Sequence, residues 1–362
     1  MKDYSHKITF SPYNSNSSVM KIDRDRYFII SNAKRQILDE IFSGDDNNLK
    51  DEIYNRIQKY VCEDKNYVSI QDFQYKKEII SKHTIGMFTK HFTFLFNRYV
   101  FWGMTLSLSF LYAFFFIISP PKELSSALSF DYSWLFIIFI FFYHELGHAT
   151  ACTKFGVSSC SLGFGITLLM PVLYADVSSS WALEKKQRMV VNFGGIYFQN
   201  IFACIFMITA IILKNSNLFL LSKTVAFSTV FQLFPFYKSD GYWILTDLLE
   251  EPRLFKKSQK MFFLMLRHGI APSHRHDYNV LLYYFIVESF IFFFLIKTAV
   301  NYGKYILDLP TYLFNIVKDI LCGRFEFLTL EWKYLVSIIV FYFMTKVLIS
   351  NIKIFINSDL SE

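Results

Sequence analysis

Apolar and polar positions are arranged in two different ways along this chain, and the change comes near residue 92. Before it, short apolar stretches alternate with charged ones. Tyr27-Phe28-Ile29-Ile30 predicts a strand, and Ser31 can cap a helix whose apolar face is Ile37, Leu38, Ile41 and Phe42, with Gly44 to end it. Asn48 can cap a second helix carrying Leu49, Ile53, Ile57 and Val61 on one side, and Tyr67 to Ile70 predicts another strand. Residues 1–92 therefore predict a small α/β module near the lower size limit for independent folding. After residue 92 the apolar runs approach the roughly 20 residues needed to cross a bilayer. The expected spans are Tyr99–Ile118, Trp134–Cys152, Met189–Leu213, Asn217–Phe236, Asn279–Val300 and Tyr334–Ser350. Tyr305 to Leu321 holds Asp308, Pro310, Lys318 and Asp319, so it is expected as a helix lying in the interface. Ser159 to Val177 holds Gly163, Gly165 and Pro171 among apolar residues and predicts a hairpin or re-entrant element. The fold class expected is an α-helical polytopic membrane protein of about six transmembrane helices, residues 93–356, with a cytosolic α/β module before it.

Composition strengthens the membrane reading. The chain is 53% hydrophobic and 20% aromatic, with 43 Phe and only 19% charged residues, and its mean hydropathy is +0.29. Lys and Arg set the orientation. Lys76, Lys77, Lys82, Lys90 and Arg98 precede the first expected span. Lys154, Lys185, Lys186 and Arg188 separate the second and third, and Lys238 to Arg275 supplies seven more before the fifth. The intervening loops carry only Lys122 and Lys214. Both termini and both basic loops are thus expected in the cytosol, in a multi-pass protein of the cell membrane. Met1 to Ser18 has no apolar core of a cleavable signal peptide. The five cysteines show no C-x-x-C spacing, which speaks against a disulfide frame or a cysteine metal site.

The candidate chemistry lies inside the second span, in His144-Glu145-Leu146-Gly147-His148. This is H-E-x-x-H. On a helix the two imidazoles share one face and can bind one metal ion, and Glu145 can activate a water. Three ionisable groups in an apolar run are costly there and point to function. Two histidines leave a tetrahedral zinc one protein ligand short, with the fourth position open to water. Asp240 is a candidate third ligand, because Pro235 should break the fourth span and Gly241 permits a tight turn beside it. Asp176 and Asp247 are rival carboxylates. Arg267-His268 and His274-Arg275-His276 also collect histidines, but their cationic neighbours disfavour a second metal site.

Several segments together resemble the site-2 protease family of intramembrane zinc metalloproteases. The likeness is greatest to the bacterial branch of putative peptide zinc metalloproteases associated with ribosomally made, modified peptides. It runs over about residues 140–260. It rests on HELGH, Gly163-Phe164-Gly165, Met170 to Val177, Trp181, Gln187-Arg188, Gly194 to Gln199, and Pro235-Phe-Tyr-Lys-Ser-Asp240-Gly-Tyr-Trp243. The resemblance implies Zn²⁺ as cofactor, His144, His148 and Asp240 as its ligands, and Glu145 as general base. Substrate-binding roles are expected for Gln232 and, through strand addition of an unwound substrate segment to the hairpin edge, for Gly163 and Gly165; the alternative for the hairpin is structural packing against the helices. Gln232 stands three residues ahead of Pro235, where the family commonly has Asn three or four ahead. The 1–92 module, through Tyr27 to Val61, loosely resembles the winged-helix leader-binding domain of peptide-modification systems.

The expected function is an intramembrane zinc endopeptidase. It would cleave a peptide or a membrane-associated precursor near the cytosolic membrane face, in maturation or export of a ribosomally made modified peptide. The partners implied are that substrate, the lipid bilayer, and a peptide exporter or peptide-modifying enzyme. No nucleic acid is expected. The chain has no G-x-x-x-x-G-K-[ST], so transport would need a separate motor. The alternative from another class is a catalytically idle leader-binding or immunity factor, or a subunit of a peptide exporter.

Overall fold

A computed structural model describes residues 8–22, 26–43, 47–63, 75–117, 133–157, 160–167, 170–236, 238–269 and 274–322, with single positions between 334 and 352. The strand expected over Tyr67–Ile70, the helix end at Gly44 and Lys122 lie outside the described residues, as does most of the sixth expected span. The chain forms two compact units. The first joins Met1–Thr167 to Pro171–Pro252, and the second holds Arg253–Glu362 with Leu168–Met170. Residues 1–92 thus share a unit with the H-E-x-x-H motif.

That unit begins with three antiparallel strands, β1 (Ile8–Pro12), β2 (Ser17–Ile22) and β3 (Arg26–Ser31). Only β3 is expected from the periodicity, since the polar start of the chain hides β1 and β2. Alternation gives the sheet two apolar faces. Ile8, Met20, Ile22 and Phe28 pack with Leu38 and Phe42 of α1 (Asn32–Ser43) and with Tyr54 and Ile57 of α2 (Asn47–Glu63). Ser31 caps α1 by accepting from Lys34 N. On the other face Val19, Tyr27 and Ile29 gather with Tyr13, Trp181 and Trp243. Trp181 sits in a 3-10 turn, Ser178–Ala182, against which all three strands pack. The sheet is therefore not a detached appendage: its second face packs on Trp181, which lines one pocket with Glu145 and His148.

A second antiparallel sheet has the order β4 (Tyr75–Ile80), β5 (Leu162–Thr167), β6 (Met170–Ala175). The hairpin expected between Ser159 and Val177 is β5–β6, but its partner β4 comes from the sequence before residue 92. Gly163 and Gly165 therefore lie on the central strand, opposite Glu78 and Lys76. Both edges of β5 are already paired, so neither glycine lies on a free strand edge. Gly163 has a packing reason instead: a Cβ there would run into the Tyr174 ring.

The helices of the first unit are α3 (Lys82–Thr89), α4 (Arg98–Ile117), α5 (Ser133–Lys154), α6 (Lys185–Ile212), α7 (Ser216–Leu233) and α8 (Asp240–Leu249). α6 is the hub, touching α4, α5, α7 and α8. It starts with a reciprocal capping box between Glu184 and Gln187. α5 and α6 cross backbone to backbone, since a Cβ on Gly147 or on Gly194 would meet the other residue's main chain. α5 stops two residues before Gly156, whose φ of 74° suits a helix end. α7 stops at Leu233 because Pro235 forces Phe234 into extended backbone, ψ 131°.

The second unit holds α9 (Leu254–His268) and α10 (Arg275–Leu321). α10 is one helix of 47 residues. It joins the fifth expected span to the segment expected as a separate interfacial helix. No proline falls between Val300 and Tyr305, and Pro310 is carried inside the helix. Among the described residues, Lys185–Ile212 and Arg275–Thr298 are long and apolar enough to cross a membrane.

Candidate metal centre

Each group of the site is delivered by a different structural device. α5 places His144 and His148 one turn apart, both 7% exposed. α8 delivers Asp240 as its first residue, after Ser239 caps the helix by accepting from Tyr242 N at 3.1 Å. The Ser239 hydroxyl lies 2.8 Å from the carbonyls of Phe234 and Phe236, which fixes the turn leading in from α7. Gly241 is required by close approach, not by an unusual φ: a Cβ would strike the Leu233 carbonyl. Gly195 of α6 supplies the floor, where a Cβ would collide with the Nε2 atoms of both histidines.

The tautomers follow from the hydrogen bonds. Gln199 Nε2 donates to Ser228 Oγ at 2.9 Å and to the Val225 carbonyl at 3.4 Å. Its Oε1 must then be the atom 3.0 Å from His144 Nδ1, so that nitrogen donates. His148 Nδ1 lies 2.8 Å from the Val191 carbonyl and donates to it. Both Nε2 atoms are left with lone pairs, 3.2 Å apart. Asp240 adds its carboxylate, with Oδ2 3.2 Å from His144 Nε2 and Oδ1 3.5 Å from His148 Nε2. Oδ2 is buried and no hydrogen-bonding geometry satisfies it. Three electron-pair donors thus converge within 4.8 Å of one another. Facing acceptors repel unless a cation lies between them. This group could hold a metal ion.

Glu145 stands beside this group. Its Oε2 accepts from the Ala175 N–H at the end of β6, at 2.6 Å. It lines a cavity of about 60 Å³ together with His148 and Asp240, room for about four water molecules. The rival carboxylates are engaged elsewhere. Asp176 accepts from Ser178 N and Oγ and pairs with Lys76. Asp247 is bound by Arg188 and Asn192. Among the described residues, His144, His148 and Asp240 are the one such group of His, Cys, Asp or Glu ligands. The histidines of residues 268–276 do not add a second.

Gln232 lies behind the ligands, not in front of them. Its Nε2 donates to Gln199 Oε1 at 3.0 Å, so it steadies the amide that orients His144. Gln199 itself has no role assigned from the sequence. The signal was there: Asn192, Gly195 and Gln199 recur at helical spacing on one face of an otherwise apolar helix, where uncompensated amides are costly.

Comparison with models of protein families, with curated proteins and with solved structures finds no match.

Proposed function

We propose that this chain is a zinc-dependent endopeptidase of the membrane, cutting a peptide or membrane-associated precursor near the cytosolic face. The observation that carries the reading is the convergence of two imidazole nitrogens and one carboxylate oxygen within 4.8 Å of one another, beside a second carboxylate that lines the same pocket as His148 and Asp240. Two His and one acidic ligand with an open fourth position are the donor set of catalytic zinc. A zinc ion held there supplies Lewis acidity to the scissile carbonyl and to the attacking water. Glu145 is the proton carrier. Its Oε2 is fixed by the Ala175 N–H, so Oε1 takes the proton from the attacking water and later hands it to the leaving amine. Gln199 and the Val191 carbonyl hold both imidazoles in the ligating tautomer throughout. The resemblance to site-2 proteases implies the same ligands, His144, His148 and Asp240, and the same general base, Glu145.

The membrane setting is supported by the outer faces of the helices. On α4, Trp102, Leu106, Phe110, Phe114 and Ile117 form a stripe at helical spacing, each more than half exposed. α5 and α7 likewise expose Ile138, Phe141, Phe227 and Phe231. Such surfaces suit lipid, not water. With the two apolar helices Lys185–Ile212 and Arg275–Thr298, they favour a multi-pass protein of about six spans, with the N-terminal sheet on the cytosolic side. The deciding experiment replaces Glu145 by Gln. The variant should keep its metal and lose peptide cleavage. Cleavage that persists at the wild-type rate would show that the site is not the catalyst and would favour a leader-binding or immunity role.

A further inference from the structure

Next to the metal ligands sits a group of donors that the proposed chemistry does not use. Arg188, in the first turn of α6, is 2% exposed. Its Nε donates to Asp247 Oδ1 at 2.6 Å and its Nη1 to the Leu183 carbonyl at 2.8 Å, so the guanidinium is locked in one plane. Asp247 is held from its other side by Asn192 Nδ2 at 3.0 Å. The guanidinium carbon lies 4.6 Å from the Tyr13 ring centroid and 5.9 Å from that of Trp181. Arg188 Nη2 is left buried with no hydrogen-bond partner, and so are Trp181 Nε1 and Tyr13 Oη. Arg188 and Trp181 line the same cavity as Glu145, His148 and Asp240.

Buried donors are almost always satisfied, and leaving a charged one unpaired is costly. Two such donors, on rigidly held side chains that line one cavity, mark a place where a ligand completes the hydrogen bonding. Guanidinium and indole N–H groups only donate, so that ligand must bring oxygen acceptors. The one nitrogen of this fixed guanidinium without a partner, Nη2, matches a carboxylate oxygen best, in a charge-assisted hydrogen bond. We infer that Arg188 and Trp181 form a subsite for a carboxylate of the bound peptide, adjacent to the bond presented to Glu145. The carboxylate can be an acidic side chain or the free C-terminus, and the two differ in whether the cut is internal or at the chain end. The inference rests on the peptidase reading only in taking the ligand to be a peptide.

The test measures binding without cleavage. Metal-loaded Glu145→Gln protein is titrated calorimetrically with three N-acetylated alanine tripeptides. One ends in a free carboxylate, one in an amide, and the third is the amide with a central aspartate. At least one of the carboxylate peptides should bind ten times more tightly than the neutral amide. That preference should fall to within about twofold when Arg188→Lys or Trp181→Phe is added. Arg188→Lys keeps the charge but loses the fork, and Trp181→Phe keeps one aromatic ring but loses the indole N–H, so each removes a donor while keeping part of the packing. Metal content and melting temperature show that both variants are folded. Equal binding of all three peptides, no binding of either carboxylate peptide, or a preference unchanged in both variants overturns the subsite. Failure of the peptidase reading looks different: the preference follows Arg188 and Trp181, yet wild-type protein cuts none of the peptides.

Discussion

Gln199 shows how much of the centre is decided by atoms that touch no substrate. Its amide is oriented by Ser228, Val225 and Gln232, and through its Oε1 it sets which nitrogen of His144 faces the cavity. Gln199→Leu should therefore weaken zinc binding by roughly 10–100-fold, measured by competition with a chromophoric chelator, while the protein still folds. A variant with unchanged zinc affinity would remove Gln199 from this role. Asp240→Ala should lower the metal stoichiometry of purified protein below one, as read by mass spectrometry of bound metal. Wild-type stoichiometry would mean that the third ligand is another group. Gly195→Ala is a harsher change, because the added methyl occupies space now held by both imidazole nitrogens. It should abolish metal binding outright. Retention of metal by that variant would contradict the close approach of α6.

At the level of elements, the site depends on β6 ending where α5 can reach it. The Ala175 N–H that holds Glu145 is followed by Asp176, whose carboxylate accepts from Ser178 and pairs with Lys76 of β4 at 3.7 Å. Burial raises the pKa of Asp176, but the Ser178 hydrogen bonds and Lys76 pull it below the usual carboxylate range. A depressed folded pKa means stability that is present above the unfolded value, about 3.9, and is lost as pH falls through the folded one. Lys76 is 49% exposed, so solvent screening keeps its share small, within about 1 kcal/mol. Asp176→Asn should thus melt slightly lower than wild type at pH 6, and the gap should shrink as the pH falls below the unfolded value of about 3.9. A gap that widens on acidification would reverse the sign argued here. Gly163 belongs to the same element. Its replacement by Val would drive a side chain into the Tyr174 ring and should lower the melting temperature.

For the whole molecule the arrangement of charge and apolar surface makes a directional claim. α6 has 28 residues, about 42 Å at 1.5 Å per residue, against a hydrocarbon core of about 30 Å. Lys186 and Lys214 lie near its opposite ends. In a cysteine-free background, Lys214→Cys should react with a membrane-impermeant maleimide in intact cells, and Lys186→Cys only after the membrane is opened. The opposite pattern would invert the topology, and equal labelling of both would remove α6 from the membrane. The N-terminal sheet belongs in the same frame. Its Tyr13 and Val19 pack with Trp181 beside the candidate centre.

Local patterns were enough to locate much of this protein. H-E-x-x-H needs only helical spacing to align two imidazoles, and Pro235 ends α7 by crowding Phe234 out of the helical region into extended backbone. The long apolar helices and the β5–β6 hairpin are legible because each is dictated by its own residues. Other features depend on partners far away in the sequence. Asp240 reaches the histidines because α8 starts beside them, while Asp176 and Asp247 pair with Lys76 and Arg188. Gly163 and Gly165 lie on an interior strand because β4 arrives from before residue 92. β1 and β2 are short and polar, and become strands by pairing with each other and with β3. The sequence by itself determined which residues could hold a metal. The tertiary structure decided which of them converge, since convergence is set by packing between elements and not by the spacing within one.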